Sequence, residues 1–341
     1  MSTISPLKEP IPFALNAYLY QLHQVIVPFL IAQGVTPNAI NAREALANLT
    51  NTFVTVAPNM AKTLDTVLVT PQNFRGYRVP LRVFTPEGTA LPDKDNPVAV
   101  PLLVFFHGGG GMAGSVSVYD KIYKKLAVAT GSVVIAPEYR LAPENLYPAG
   151  IDDAHSVLKY LTPTLAELGY QGNGTLMIGG DSAGGAITAT LVQDWLAGKI
   201  DTDLTITHQL LIYAGLDYTL SQPSIEENGT GYLLEKAKIE WYYNNYFHRY
   251  DDRDLTSPFW TDLATLVHHT QYLLPKTLNI SAGYDPLRDE DIRYHELMQE
   301  AGFDSELMHF PDMVHAFINM ENLCLEQCAK MYGRIGEFAK A

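Results

Sequence analysis

From residue 98 onward, short apolar runs alternate with longer stretches that carry apolar residues at helical spacing. The runs VAVPLLVFF, SVVIAP, TLMIGG, THQLLIYAG, KTLNISAG and FDSELMHFP read as strands. Nearly unbroken apolar runs of this length are typical of strands buried on both faces, as in a parallel sheet covered by helices. Between and after them, residues 118–129, 151–165, 183–196, 289–301 and 316–339 read as helices. The alternation predicts an α/β fold, mostly parallel, with helices on both faces of the sheet. Upstream, TVLVT and GYRVPLRVFTP are rich in β-branched and aromatic residues and predict two further strands. The stretch EGTALPDKDNP that follows is a turn-rich surface loop.

Two segments stand outside this rhythm. Residues 1–60 read as helical, with a helix-forming run at 42–49 and Thr36-Pro37 as its cap and first turn. Residues 217–260 lie between two expected strands and exceed an ordinary crossover. They contain LLEKAKIEWYYNNYFHRY, a helical stretch dense in aromatics. The chain therefore divides into an N-terminal helical part of a cap (1–60), a first part of the α/β core (61–216), a helical cap insertion (217–260) and a second part of the core (261–341). Trp241, Tyr242, Tyr243, Tyr246 and Phe247 either line a pocket under the cap or form the cap's own core.

Residues 11–41 hold no acidic or basic residue apart from His23. Pro12, Asn16, Gln21, Gln24 and Pro28 interrupt the apolar pattern, whereas a membrane span needs about twenty predominantly apolar residues. The start MSTISPLKEP is a weak secretory leader, and no clean cleavage site follows. The expectation is a surface or lid helix, no stable membrane insertion and a cytoplasmic protein by default; secretion and membrane association stay open.

Composition narrows the partners. Hydrophobic residues make up 47% of the 341, enough for a sizeable core and against bulk disorder. Lys plus Arg total 23 against 37 Asp plus Glu, a net charge of −14. That field repels phosphate backbones, and no basic aromatic stripe offsets it, so no nucleic-acid partner is expected. Cys324 and Cys328 are too few for a disulfide framework and read as free buried thiols. No Cys/His spacing suits zinc, and neither metal nor cofactor is expected.

The strongest chemical signal is Gly180-Asp181-Ser182-Ala183-Gly184, which follows TLMIG and opens a helical run. Small residues at 180 and 184 permit a sharp strand-to-helix turn that lifts a serine hydroxyl out of the backbone. A serine nucleophile needs a base, and the base needs an orienting acid. His315 follows the last expected strand, and Asp285 follows KTLNISAG, with Asp289 a nearby competitor. Both loops lie beyond carboxyl ends of strands, where active-site groups of open sheets gather. His107-Gly108-Gly109-Gly110-Gly111 follows another strand; such a tract lets backbone N–H groups approach a ligand and hold an oxygen anion.

Together HGGG, GDSAG, YRLAPENLYPAGIDD, DPLRDE and the late histidine resemble the hormone-sensitive lipase family of α/β-hydrolases, over most of the chain from about Gly76. The resemblance implies a serine carboxylesterase or lipase-like enzyme with an α/β-hydrolase fold and a helical cap. It implies Ser182 as nucleophile, His315 as general base and acid, and Asp285 rather than Asp289 as its partner. The oxyanion hole would use N–H groups of Gly109, Gly110 and Ala183, with His107, Gly108 and Asp181 supporting the loop. Two positions depart from the family pattern. Gly111 stands where an aromatic residue is usual, which predicts a more mobile loop or a wider pocket. Ala316 stands where glycine is usual, a mild change unless that position needs positive φ.

The implied reaction is hydrolysis of short- to medium-chain acyl esters through an acyl-enzyme, on a small-molecule substrate. The same triad could serve amide, peptide or acetyl-group hydrolysis. A ligand-binding receptor on this fold would have lost the histidine, which is present here. A homodimer through an edge strand near the C-terminus stays open.

Overall fold

The apolar runs pair into one eight-stranded sheet: β1 (Met60–Val67), β2 (Pro80–Pro86), β3 (Val98–Phe106), β4 (Val133–Pro137), β5 (Tyr170–Asp181), β6 (His208–Ile212), β7 (Lys276–Tyr284) and β8 (Ser305–Val314). The structure, a computed structural model, describes residues 7–249 and 252–341. The strand order is β1-β2-β4-β3-β5-β6-β7-β8. β2 runs antiparallel to β1 and β4; the other pairings are parallel. Every residue of β4 and β6 is buried, which is why those segments read as unbroken apolar runs.

Helices α1 (Phe13–Gln21), α2 (Val27–Ala32) and α3 (Ala39–Phe53) precede the sheet. The crossovers are α4 (Asp120–Thr130), α5 (Ala149–Leu168) and α6 (Ala183–Leu196). Between β6 and β7 lie α7 (Ser224–Glu227), α8 (Lys236–Tyr246), α9 (Asp252–Thr256) and α10 (Leu263–His269); α11 (Arg288–Glu300) and α12 (Leu325–Phe338) complete the chain. Side chains alternate across the strands. Leu102, Val104 and Phe106 join the core under α5, α6 and α11, while Leu103 and Phe105 join the one under α4 and α12.

Several boundaries differ from the sequence reading. The first strand begins at Met60, not Thr66, because β1 is an edge strand whose residues alternate between half-buried and exposed and carry little apolar signal. Helix α3 is capped by Asn38, whose Oδ1 accepts the Asn41 N–H at 2.9 Å, in place of Thr36-Pro37. The expected C-terminal helix is divided at Cys324 into a 3₁₀ stretch, Phe317–Leu323, and α12. Cys324 and Cys328 are free and buried, with sulfurs 3.7 Å apart. The aromatic helix α8 is shorter than the run that suggested it. Residues 1–6 and Tyr250 and Asp251, which fall in the two expected cap pieces, lie outside the described residues.

Helices α1 and α2 are joined by a π-helical turn, Leu22–Ile26, just before Pro28, which lacks an N–H to donate. Among the described residues no helix is long and apolar enough to cross a membrane. The chain at residues 7–9 runs along β8: the Glu9 N–H donates to the Pro311 carbonyl at 2.8 Å, and His309 Nε2 donates to that of Leu7 at 3.0 Å. This covers part of the exposed sheet edge.

Candidate active site

Ser182 stands between the end of β5 and the start of α6 at φ 53° and ψ −120°. A non-glycine residue adopts positive φ only where its surroundings enforce it. Here the Ser182 N–H donates to the Ile212 carbonyl at 2.9 Å, and the Ser182 carbonyl accepts from Gly215 at 3.2 Å. The flanking glycines are sterically required. A Cβ on Gly180 would lie 2.2 Å from the Gly184 oxygen, and one on Gly184 would lie 2.0 Å from the Phe106 oxygen.

The two loops expected to meet the serine do so. His315 Nε2 lies 2.9 Å from Ser182 Oγ, and His315 Nδ1 lies 2.6 Å from Asp285 Oδ2. The second Asp285 oxygen accepts the Leu287 N–H at 2.9 Å, so this buried carboxylate is held at both oxygens. A carboxylate on Nδ1 keeps the proton there and turns the Nε2 lone pair to the serine hydroxyl. Asp289 points elsewhere: it pairs with Arg288 at 2.7 Å and accepts the Ser224 N–H at 2.9 Å, tying α11 to α7.

The glycine loop rests on a buried polar frame. Tyr139 donates to the His107 carbonyl at 2.6 Å and stacks on the His107 ring at 4.6 Å. His107 Nδ1 donates to the Gly108 carbonyl at 2.8 Å, and burial lowers the ring's pKa to about 4, so it is neutral at pH 7. The Gly108 N–H and the Tyr119 hydroxyl donate to the two oxygens of Asp181 at 2.8 and 3.0 Å. Burial raises the Asp181 carboxyl to about 6. The N–H groups of Gly109 and Gly110 have no acceptor among the described residues. Ala183 is the first residue of α6, so its N–H has no intrahelical acceptor. These three residues border the same cavity as Ser182 and His315.

That cavity has a volume of about 670 Å³. Its walls come from α1 (Tyr18), α3 (Leu46, Leu49) and α8 (Ile239) as well as from the core. Of the five aromatics singled out in the cap, Tyr242, Tyr243 and Tyr246 line it. Phe247 packs inside the cap on Tyr218 at 5.0 Å, and Trp241 packs on Tyr242 at 5.3 Å. The wider pocket expected at Gly111 is not formed. A Cβ at 111 would lie 2.7 Å from the Tyr246 ring, and one at Gly110 would lie 2.6 Å from the Tyr242 ring. Cap aromatics fill the space beside the glycine loop.

Ala316 adopts φ 59° and ψ 28°, the left-handed region. This conformation costs an L-residue about 1–2 kcal/mol, partly offset in glycine by its larger loss of chain entropy. Ala316→Gly is therefore expected to stabilise the fold by about 0.5–1 kcal/mol. The measure is the urea unfolding midpoint; a lower midpoint in the variant would contradict the strain.

Sequence reasoning missed Tyr119, the Asp181 partner, and Tyr213, whose ring packs on His315 at 4.8 Å. Neither sits in a motif, and only the fold brings each to the site.

A family profile described as the α/β-hydrolase fold matches residues 103–319. The carboxylesterase NlhH of Mycobacterium tuberculosis is 34% identical over 262 residues, covering 75% of this chain and 76% of that protein. An ethyl acetate hydrolase of Pseudomonas putida is 32% identical over 251 residues, covering 74% and 75%. A hyperthermophilic esterase from the archaeon Pyrobaculum calidifontis has a similar structure, with a TM-score of 0.76 at 27% identity over 97% of this chain and 98% of that one. Sequence likeness across three quarters of a curated esterase, on a sheet and cap of the same architecture, makes this chain a member of the α/β-hydrolase family, in its esterase and lipase-like branch.

Proposed function

We propose that Ser182, His315 and Asp285 carry the reaction of this carboxylic-ester hydrolase, on short- to medium-chain acyl esters. The observation that supports this reading is the relay of 2.9 and 2.6 Å from serine through histidine to a buried carboxylate, facing a largely apolar cavity. Ser182 Oγ attacks the acyl carbon as its proton passes to His315 Nε2. The carbonyl oxygen becomes an anion and is met by the N–H groups of Gly109, Gly110 and Ala183. Each such donor is worth about 3 kcal/mol of transition-state stabilisation. The start of α6 adds its dipole behind the serine. His315 then protonates the leaving alcohol. Water gives a proton to Nε2 as it attacks the acyl carbon; the acyl–Oγ bond then breaks, Oγ takes that proton back from Nε2, and the acid leaves.

The substrate is a small-molecule ester. The charge of −14 supports a reading with no nucleic-acid partner. A homodimer through β8 would have to pair beyond the part of that edge that residues 7–9 cover.

A series of 4-nitrophenyl esters tests the reading. Each buried methylene adds about 0.8 kcal/mol, so kcat/KM should rise with chain length until the cavity is full, peaking at about four to eight acyl carbons and falling by about sixteen. A second reading, a lipase working at a lipid surface, is favoured by Phe13, Tyr20, Phe29 and Ile31, which α1 and α2 leave exposed. Strong activation when a long-chain triglyceride passes its solubility limit would select it; steady rates through that limit support the first.

A further inference from the structure

Lys238 lies in the wall of the cavity that holds Ser182. It stands on α8 in one row with Tyr242 and Tyr246, at intervals of four residues, and both of those residues also line the cavity. Residues spaced by four on a helix are neighbours on one face, about 5–6 Å apart. Tyr242 covers Gly110 and Tyr246 covers Gly111, so the row runs from the glycine loop toward Lys238. An ester whose carbonyl oxygen is held at Gly110 can extend one limb along this row, and a few methylenes span the distance.

The ammonium of Lys238 makes no hydrogen bond and no ion pair among the described residues. Its acidic neighbour Glu235 is engaged elsewhere: it accepts the Gly231 N–H at 3.0 Å and faces the His23 ring at 3.7 Å. The cavity wall also includes Leu22 and Ile26, which offer no charge, with His23 between them in the chain. Lys238 is solvent-accessible at the cavity wall, and a cation there with no partner among the described residues, beside apolar side chains, can attract an anion on the ligand.

We propose that the cavity accepts esters bearing an anionic group a few carbons from the ester bond, and that Lys238 determines this specificity. The proposal rests on the esterase reading above. Its test compares kcat/KM for 4-nitrophenyl monoesters of succinate, glutarate and adipate with neutral acyl esters of equal length. A parallel pair places the carboxylate on the alcohol side, as in 3-acetoxybenzoate against phenyl acetate. A hydrogen bond to a charged group corresponds to about 10- to 100-fold, so the anionic-to-neutral ratio in one of these sets should fall by that factor in Lys238→Met. Lys238→Arg should keep the ratio, and Lys238→Glu should shift preference to a cationic limb such as a choline ester. The set that responds identifies the limb. A ratio unchanged by Lys238→Met in both sets, or an equal fall for anionic and neutral esters, overturns the proposal. Wild-type turnover of neutral esters, and its loss in Ser182→Ala, tests the esterase reading separately.

Discussion

Ser182→Ala is expected to lower kcat for 4-nitrophenyl butyrate by at least about 10⁴-fold while the protein remains folded. The size follows from the chemistry: without Oγ no acyl-enzyme forms, and only binding and the N–H donors remain. The intact fold follows from how the elbow is held. Its positive φ is fixed by backbone hydrogen bonds to Ile212 and Gly215, which alanine keeps. Among the described residues, the only side-chain bond lost is the one to His315 at 2.9 Å. In the wild type, an organophosphonate should add to Ser182 and block turnover. Labelling at another serine, with activity surviving in the alanine variant, would overturn the assignment.

Asp285→Asn is expected to reduce kcat by about 10⁴-fold. An amide facing His315 Nδ1 no longer fixes the tautomer that leaves Nε2 free to accept the serine proton, nor does it balance the imidazolium. Asp289→Asn should leave kcat within a few-fold and instead lower the unfolding midpoint. Its carboxylate pairs with Arg288, a buried guanidinium, and accepts the Ser224 N–H that joins α7 to α11. Breaking such partly buried contacts typically costs about 1–3 kcal/mol. Measured together, kcat and urea midpoint separate the two aspartates. A larger kcat loss in Asp289→Asn than in Asp285→Asn would reverse their roles.

What the sequence determined by itself is local. The α/β alternation was legible because β4 and β6 are buried on both faces and tolerate only apolar residues. The elbow was legible because the glycines it requires, Gly180 and Gly184, both lie within five residues, although the clash that excludes a Cβ at 184 is with Phe106 of β3. The glycine tract was legible for the same kind of reason, since Gly109 and Gly110 take positive φ.

The tertiary structure decided what depends on distant segments. No local rule chooses between Asp285 and Asp289; the family resemblance favoured Asp285, and β7 and β8 set their loops side by side with Asp285 at the imidazole of His315. The start of β1 was hidden because an edge strand is only half covered. Gly111 read as open space because the ring that fills it, Tyr246, lies in another segment. Ala316 read as a mild change until its φ of 59° was known. Spacing along the chain encodes one turn of backbone, whereas Ser182 and His315 are 133 residues apart and meet only because the sheet brings their strands' carboxyl ends to one edge.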